Sequence, residues 1–308
     1  MVLEELQFRL NDSGYKNWLK AGRCLLILKD GLHPFTDQQM RAFHKYLLHQ
    51  NPVLRNPCQT SSCKPRGNEP SSVCRACSEW QRVILRHHRQ SNATIYWDNC
   101  FPPHWRTDHW ELAKAYMSRG QAKVKRASEC DAPALLNLIN FCTYFSSVDP
   151  KLVRKVIQFR NELMHSCEFR VNGEWMRQFQ STVKLFVQQF RQVPEMATVG
   201  QQIEKMLALD LSICVSGMDQ MDSSGLSDGI VSDSVSESGT STELVSQWEA
   251  ELLQEMLQEC LHTAEDDDTK AQDTVLLESL GGFLQANKDL GKRFSAELQT
   301  INSLKPRE

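Results

Sequence analysis

Apolar residues three and four positions apart recur along most of this chain, and that period narrows its fold more than any other feature. Tyr15, Trp18, Leu19, Gly22, Leu25 and Leu26 form one stripe at i, i+3, i+4 and i+7, the spacing of a single helix face. Met40, Phe43 and Leu47 form a second, behind Thr36 and Gln39, which stand at capping-box spacing. Pro52 and Pro57 end that helix. Between 131 and 192 the period returns three times, first at Leu135, Leu136, Leu138 and Ile139, then at Val153, Val156, Ile157 and Met164. The third stripe is Trp175, Phe179, Val183, Phe186 and Phe190, stopped by Pro194. A further helix is expected at about 199–213. Only Ala93–Trp97 reads as a short strand, so the expected fold is mainly all-α, a helical bundle.

The period is interrupted twice. Residues 52–73 are dominated by Pro, Ser, Asn, Gly and Cys, which reads as a long inserted loop, and loops of that length are usually functional or disordered. Residues 74–120 are rich in Cys, His and Trp, with short helices expected at Glu79–His88 and Glu111–Met117. The segment 52–120 is thus a Cys/His/Trp-rich insertion within a domain covering 1–215. Trp97, Trp105 and Trp110, close to Pro102 and Pro103, fit core packing, with base stacking as the alternative. The second interruption, 216–242, is built from Ser, Asp, Gly and Glu and buries too little apolar surface to offset its ordering entropy, so a disordered linker is expected. Beyond it lies an acidic helical tail, 243–308. Thr240 and Glu243 form a capping box, and Val245, Trp248, Leu252 and Met256 share a face. A heptad register then places Leu280, Asn287, Phe294 and Ile301 at a, with Leu276, Phe283, Leu290, Glu297 and Leu304 at d. Glu297 and the Gly281-Gly282 pair weaken it. A helical hairpin or short coiled coil that recruits protein partners is the expectation.

Charge divides along the same line. The 308 residues carry a net charge of −3. Residues 1–215 hold 29 Lys and Arg against 19 Asp and Glu, whereas 216–308 hold 6 against 19. A balance of +10 beside −13 is hidden in a near-neutral total. No run of about 18 apolar residues exists, which argues against a spanning helix. The opening MVLEELQFRLND lacks a basic n-region and an apolar h-region, so no secretory leader is expected. A cytoplasmic location follows, with the nucleus left open by Lys123-Val124-Lys125-Arg126. Eleven cysteines then read as reduced thiols or metal ligands. Walker, GxGxxG, HExxH and Gly-x-Ser-x-Gly patterns are absent from the sequence.

Four of the cysteines are spaced as Cys58-x4-Cys63-x10-Cys74-x2-Cys77. Tetrahedral zinc takes four N/S ligands, and a CxxC knuckle turns backbone N–H groups toward a metal-bound sulfur. A structural zinc ion would also order a loop with no other source of order. Cys100, His87, His88 and His104 are competing ligands, and a set of ordinary thiols is the alternative. The neighbouring Arg82, Arg86, His87, His88 and Arg89 are a basic run able to face phosphate, or a solvated helix face.

Arg160, Asn161 and His165 stand in one helical segment, with Asn161 and His165 a turn apart. Arg, Asn and His together hold phosphate, orient a hydroxyl and move a proton. Arg160-Asn161-x-x-x-His165 resembles the R-(N/D/H)-x-x-x-H signature of HEPN domains (higher eukaryotes and prokaryotes nucleotide-binding), which are small all-α bundles. Asp131–Ile139 before the motif, His165-Ser166 and Trp175 after it resemble the metazoan subclass found beside RING or NACHT regions. Tyr15–Trp18, Cys77–Trp80, Trp97–Cys100 and Ala113–Met117 resemble a vertebrate family, that of chromosome X open reading frame thirty-eight. The HEPN resemblance implies RNA or nucleotide binding and a homodimer in which two motifs meet. In the ribonucleolytic members it implies metal-independent cleavage by the RNA 2′-hydroxyl, with His165 as general acid/base, Arg160 stabilising the phosphate charge and Asn161 orienting. The alternative is a non-catalytic interaction scaffold in which the motif is structural.

Overall fold

The expected helices form, while the stretch between them folds into short 3-10 turns. The computed structural model describes residues 2–60, 62–67, 73–90, 94–211, 242–263 and 270–304. Among them are α1 (Val2–Leu10), α2 (Ser13–Gln50), α3 (Arg75–Arg86), α4 (His109–Ala113), α5 (Ala132–Phe141) and α6 (Pro150–Met164). There follow α7 (Gly173–Gln188), α8 (Pro194–Ala208), α9 (Thr242–Thr263), α10 (Lys270–Ala286), α11 (Lys288–Arg293) and α12 (Ser295–Leu304). No strand occurs among the described residues. In place of the expected strand at 93–97, Trp97–Asn99 is a 3-10 turn, and residue 93 lies outside the described residues. No helix is long and apolar enough to cross a membrane among the described residues. The expected linker falls at 212–241, outside them, as does Thr240.

The chain parts into two compact units. The larger comprises Lys20–His165 and Gly173–Leu207; the smaller comprises Met1–Leu19, Ser166–Asn172 and Ala208–Glu308. This line differs from the expected division into 1–215, 216–242 and 243–308, because the first helix packs with the last ones.

In the larger unit, α5 packs on α6 and α6 on α7. Their starts follow directly from sequence. The Asp131 carboxylate accepts from the Ala134 N–H at 2.8 Å and Asp149 from the Lys151 N–H at 2.8 Å, each with proline in the first turn. Pro194 also opens a helix, having no N–H to leave unsatisfied at that position. Helix α2 corrects the reading of two helices. It runs unbroken for 38 residues through Pro34, about 57 Å at 1.5 Å per residue. Thr36, fully buried, donates its hydroxyl back to the Leu32 carbonyl at 2.8 Å instead of capping a new start. Gly31 lets α8 approach: a Cβ there would stand 2.3 Å from Val199 Cγ2. Trp80, Trp105, Trp110, Phe43 and Tyr116 fill the interior of this unit, and Trp97 is 7% exposed, in keeping with the core reading of the tryptophans.

In the smaller unit α1, which carries no periodic stripe legible in the sequence, buries Leu6 and Leu10. Arg9, 5% exposed, donates to both oxygens of Glu249 at 2.7 Å and to both of Asp289 at 3.0 and 2.7 Å. Asn287 accepts from the same guanidinium at 3.1 Å, and Tyr15 donates its hydroxyl to Glu249. The expected continuous heptad register is broken. Asn287 stands at the N-cap position of α11 with its side chain donating back to the Phe283 carbonyl, and Leu276 and Leu280 are buried from α10, Leu290 from α11, Ile301 from α12 and Phe294 from the junction of the last two. Gly291 makes the break close: a Cβ there would meet the Leu284 carbonyl oxygen at 2.9 Å. Phe169, at φ 53°, is held between Trp18 (ring centroids 5.6 Å) and Phe283 (4.3 Å).

Candidate functional site

All four cysteines singled out by spacing converge. The sulfurs of Cys58, Cys63, Cys74 and Cys77 lie within 4.8 Å of one another, with Cys74 and Cys58 Sγ 3.9 Å apart. The scaffold comes from either side of the loop. Asn51 caps the turn Pro52–Arg55 by accepting from the Val53 N–H at 3.1 Å, and its amide donates to Glu79 at 2.8 Å. Trp80 Nε1 donates to the Leu54 carbonyl at 3.3 Å. These bonds seat α3 beside the turn, so its first residues meet Cys58 and Cys63.

Helix position also sets the thiol chemistry. Cys74 is the N-cap of α3, where the backbone dipole favours negative charge. Its sulfur accepts from the Gln59 N–H at 3.5 Å, and the Cys74 N–H donates to Cys63 Sγ at 3.3 Å. Burial pushes the Cys74 thiol up, but hydrogen bonds from the backbone of Cys77 and Gln59 and from the Cys77 and Cys63 thiols outweigh it and bring it down to about 6. Burial and the neighbouring Cys58 and Cys74 sulfurs push Cys77 well up. Four soft donors beside backbone N–H groups are the donor set that suits zinc. Cys100, His87, His88 and His104 are not among the clustered ligands. His88 stacks on Phe141 at 5.1 Å and Tyr116 at 5.9 Å; His87 Nδ1 meets the Thr143 hydroxyl at 3.0 Å; burial pushes Cys100 up to about 12.

The three residues of the second motif occupy the end of α6. Arg160 is buried, 3% exposed, and its Nη1 donates to Asn161 Oδ1 at 3.5 Å. Asn161 is exposed, and its carbonyl accepts from the His165 N–H at 2.9 Å. His165 is the C-cap and is half-buried. Glu162 accepts from Trp175 Nε1 at 2.7 Å, tying this turn to α7. Of the three, Asn161 alone is exposed.

The two units sharpen the charge division. The larger holds 26 Lys and Arg against 14 Asp and Glu, a balance of +12; the smaller holds 9 against 24, a balance of −15. Sequence reading missed Asn99, Lys114 and Gly67, which organise the segments beside the cysteines. Their partners are mostly backbone groups, which leave no periodic trace.

A family profile described as "Domain of unknown function (DUF4559)" matches residues 9–307. The mouse protein titled "Uncharacterized protein CXorf38 homolog" is 40% identical over 308 residues, covering 99% of this chain and 93% of its own length. No solved structure matches.

Proposed function

The chain belongs to the DUF4559 family, and on that premise we propose that it is an RNA-binding helical module of HEPN type, its contact on the basic unit and its cysteine centre holding a structural zinc ion. The observation that carries the reading is the charge of the larger unit, +12 beside a unit of −15. A polyanion gains from such a surface by releasing counterions. The Arg160-Asn161-x-x-x-His165 pattern on α6 supports the HEPN assignment. Burial favours binding over cleavage: a guanidinium that stabilises charge on a scissile phosphate must reach it, and Arg160 is 3% exposed.

The zinc reading rests on the sulfurs. Zn–S bonds of about 2.3 Å put tetrahedral ligands about 3.8 Å apart, against 3.9 Å between Cys58 and Cys74. When bound, zinc cross-links a loop to the start of a helix. Cys74 supplies the most acidic thiol, and Cys77, one turn into α3, fixes the direction of approach.

The test is fluorescence anisotropy of the full chain with single-stranded RNA of mixed sequence, across a salt series. Log affinity should fall linearly with log salt, and the RNA should stay intact with wild type and with His165→Ala alike. No binding at low salt refutes the RNA reading; cleavage lost in His165→Ala refutes the preference for binding. Elemental analysis should find about one zinc per chain, and less than about half an equivalent refutes the metal.

A further inference from the structure

Beside the cysteine loop the larger unit holds a cavity of about 230 Å³. Lys64 and Pro65, next in sequence to Cys63, line it together with Trp97, Asp98, Phe101 and Ala122. Its walls are fixed by hydrogen bonds. Asn99, 2% exposed, donates to the carbonyls of Ser118 at 2.8 Å and Lys114 at 3.3 Å and accepts from the Gln121 N–H at 3.0 Å. Lys114, equally buried, joins Glu111 at 2.7 Å to the Ala122 carbonyl at 3.4 Å. Trp97 Nε1 donates to the Gly67 carbonyl at 2.8 Å, where Gln81 donates at 3.1 Å. Gly67, four residues beyond Cys63, is thereby fastened to the tryptophan.

Two further observations bear on what fits. The segments 64–66 and 119–126, of which Lys64, Pro65 and Ala122 line the cavity, carry six exposed cations: Lys64, Arg66, Arg119, Lys123, Lys125 and Arg126. Among the described residues, the exposed carboxylates here are Asp98, which lines the cavity, and Glu129, which is taken up by Arg126 and the Lys125 N–H. Aromatic rings are also exposed here. Phe101 is 45% exposed, and Tyr96 is 37% exposed beneath the Arg119 guanidinium, 5.3 Å from its ring centre. The cavity is smaller than the roughly 300–1,000 Å³ of sites for drug-sized ligands, which suits one flat ring. Aromatic faces beside a basic backbone track are the apparatus of single-strand binding.

We propose that this cavity receives one unstacked base of a single-stranded RNA, its flanking phosphates lying on Lys64 and Lys123. The inference rests on the RNA-binding reading above and places the contact at the cysteine loop rather than at the α6 motif. A polyglutamate peptide would match the charge but brings no flat ring for Phe101, the exposed aromatic face.

The experiment measures a labelled oligouridylate binding to the full chain at low salt, with Phe101→Ala, Lys64→Glu and, as a charge-matched control on α7, Lys184→Glu. All three side chains are exposed, and thermal melts confirm that the variants fold. Phe101→Ala should weaken binding about tenfold by loss of one stacked base, leaving a duplex RNA of equal length unaffected. Lys64→Glu should weaken it more than Lys184→Glu. Wild-type binding with all three variants alike overturns the cavity and leaves the RNA reading intact. No wild-type binding overturns both. A polyglutamate peptide that binds more tightly than the oligouridylate, and is lost in Phe101→Ala, overturns the cavity's assignment to RNA.

Discussion

Replacing Arg9 by methionine keeps an unbranched apolar stem and removes the cation at the centre of the smaller unit's polar cluster. Five hydrogen bonds go with it, two to Glu249, two to Asp289 and one to Asn287. The side chains of Arg9, Glu249 and Asp289 are 4%, 0% and 6% exposed, so water does not replace the lost donors. Glu249 retains the Tyr15 hydroxyl, but its charge is left uncompensated. Breaking a buried pair on one side costs about 3–5 kcal/mol. With a urea slope of about 2 kcal/mol per molar, the midpoint should fall by about 2 M. Trp18 and Trp248 lie in this unit and report the transition by fluorescence. Adding Glu249→Gln to Arg9→Met removes the stranded charge while keeping an acceptor for Tyr15, and should restore at least about 1 kcal/mol. The pH dependence has a definite sign. Burial raises the Asp289 carboxyl, but hydrogen bonding with Arg9 and Glu5 and the charge of Arg9 outweigh it and hold it below the usual range. A depressed folded value means the stabilisation is complete above the unfolded pKa, about 3.9, and is lost as pH falls through the folded one. The gap between wild type and Arg9→Met should therefore narrow in acid. A loss under about 1 kcal/mol at neutral pH, the size of a surface pair, would refute the reasoning.

Gly31→Ala should destabilise the larger unit by about 1–3 kcal/mol through overpacking, since its Cβ would stand 2.3 Å from Val199 Cγ2 and 3.2 Å from Met196 Sδ; an unchanged melting temperature counts against that approach. After chelation, iodoacetamide at neutral pH should label Cys74, brought down to about 6, before Cys130 and Cys142, which burial pushes up to about 12. Mass spectrometry finding Cys142 modified first contradicts this. Truncation after residue 241 removes Glu249 and Asp289 and strands Arg9, so circular dichroism should show helix loss in α1 beyond the deleted helices; a 1–241 fragment as stable as the full chain is the refuting result.

What the sequence disclosed depended on whether the physics was local. The faces of α5, α6 and α7 are periodic, and Asp131 and Asp149 cap their own helices, so those elements could be read from neighbouring residues. The cysteine centre was equally legible, because only a few side chains ligate zinc and their spacing is visible along the chain. Thr36 misled: the same hydroxyl that caps a helix start also bonds back within one, and the choice rests on α2 continuing through Pro34. The heptads misled because Asn287 and Gly291, tolerable in a coiled coil, here mark a turn closed by contact with Leu284. Arg9 was opaque since its partners lie 240 and 280 residues away. At the α6 motif the residues were visible but their exposure was not, and burial of Arg160 bears most on what that turn does.

The pairing of Arg9 with Glu249 also fixes an order of events during synthesis. A ribosome adds about 5–20 residues per second, so the 240 residues between them take roughly 12–48 s. Throughout that interval α1 exists without the carboxylates that hold its arginine, and Leu6 and Leu10 lack their final surroundings. The segments of the larger unit emerge in the meantime and have every partner they need within the nascent chain. Of the described helices, α1 is made long before the partners that hold it and is among the last to find its place.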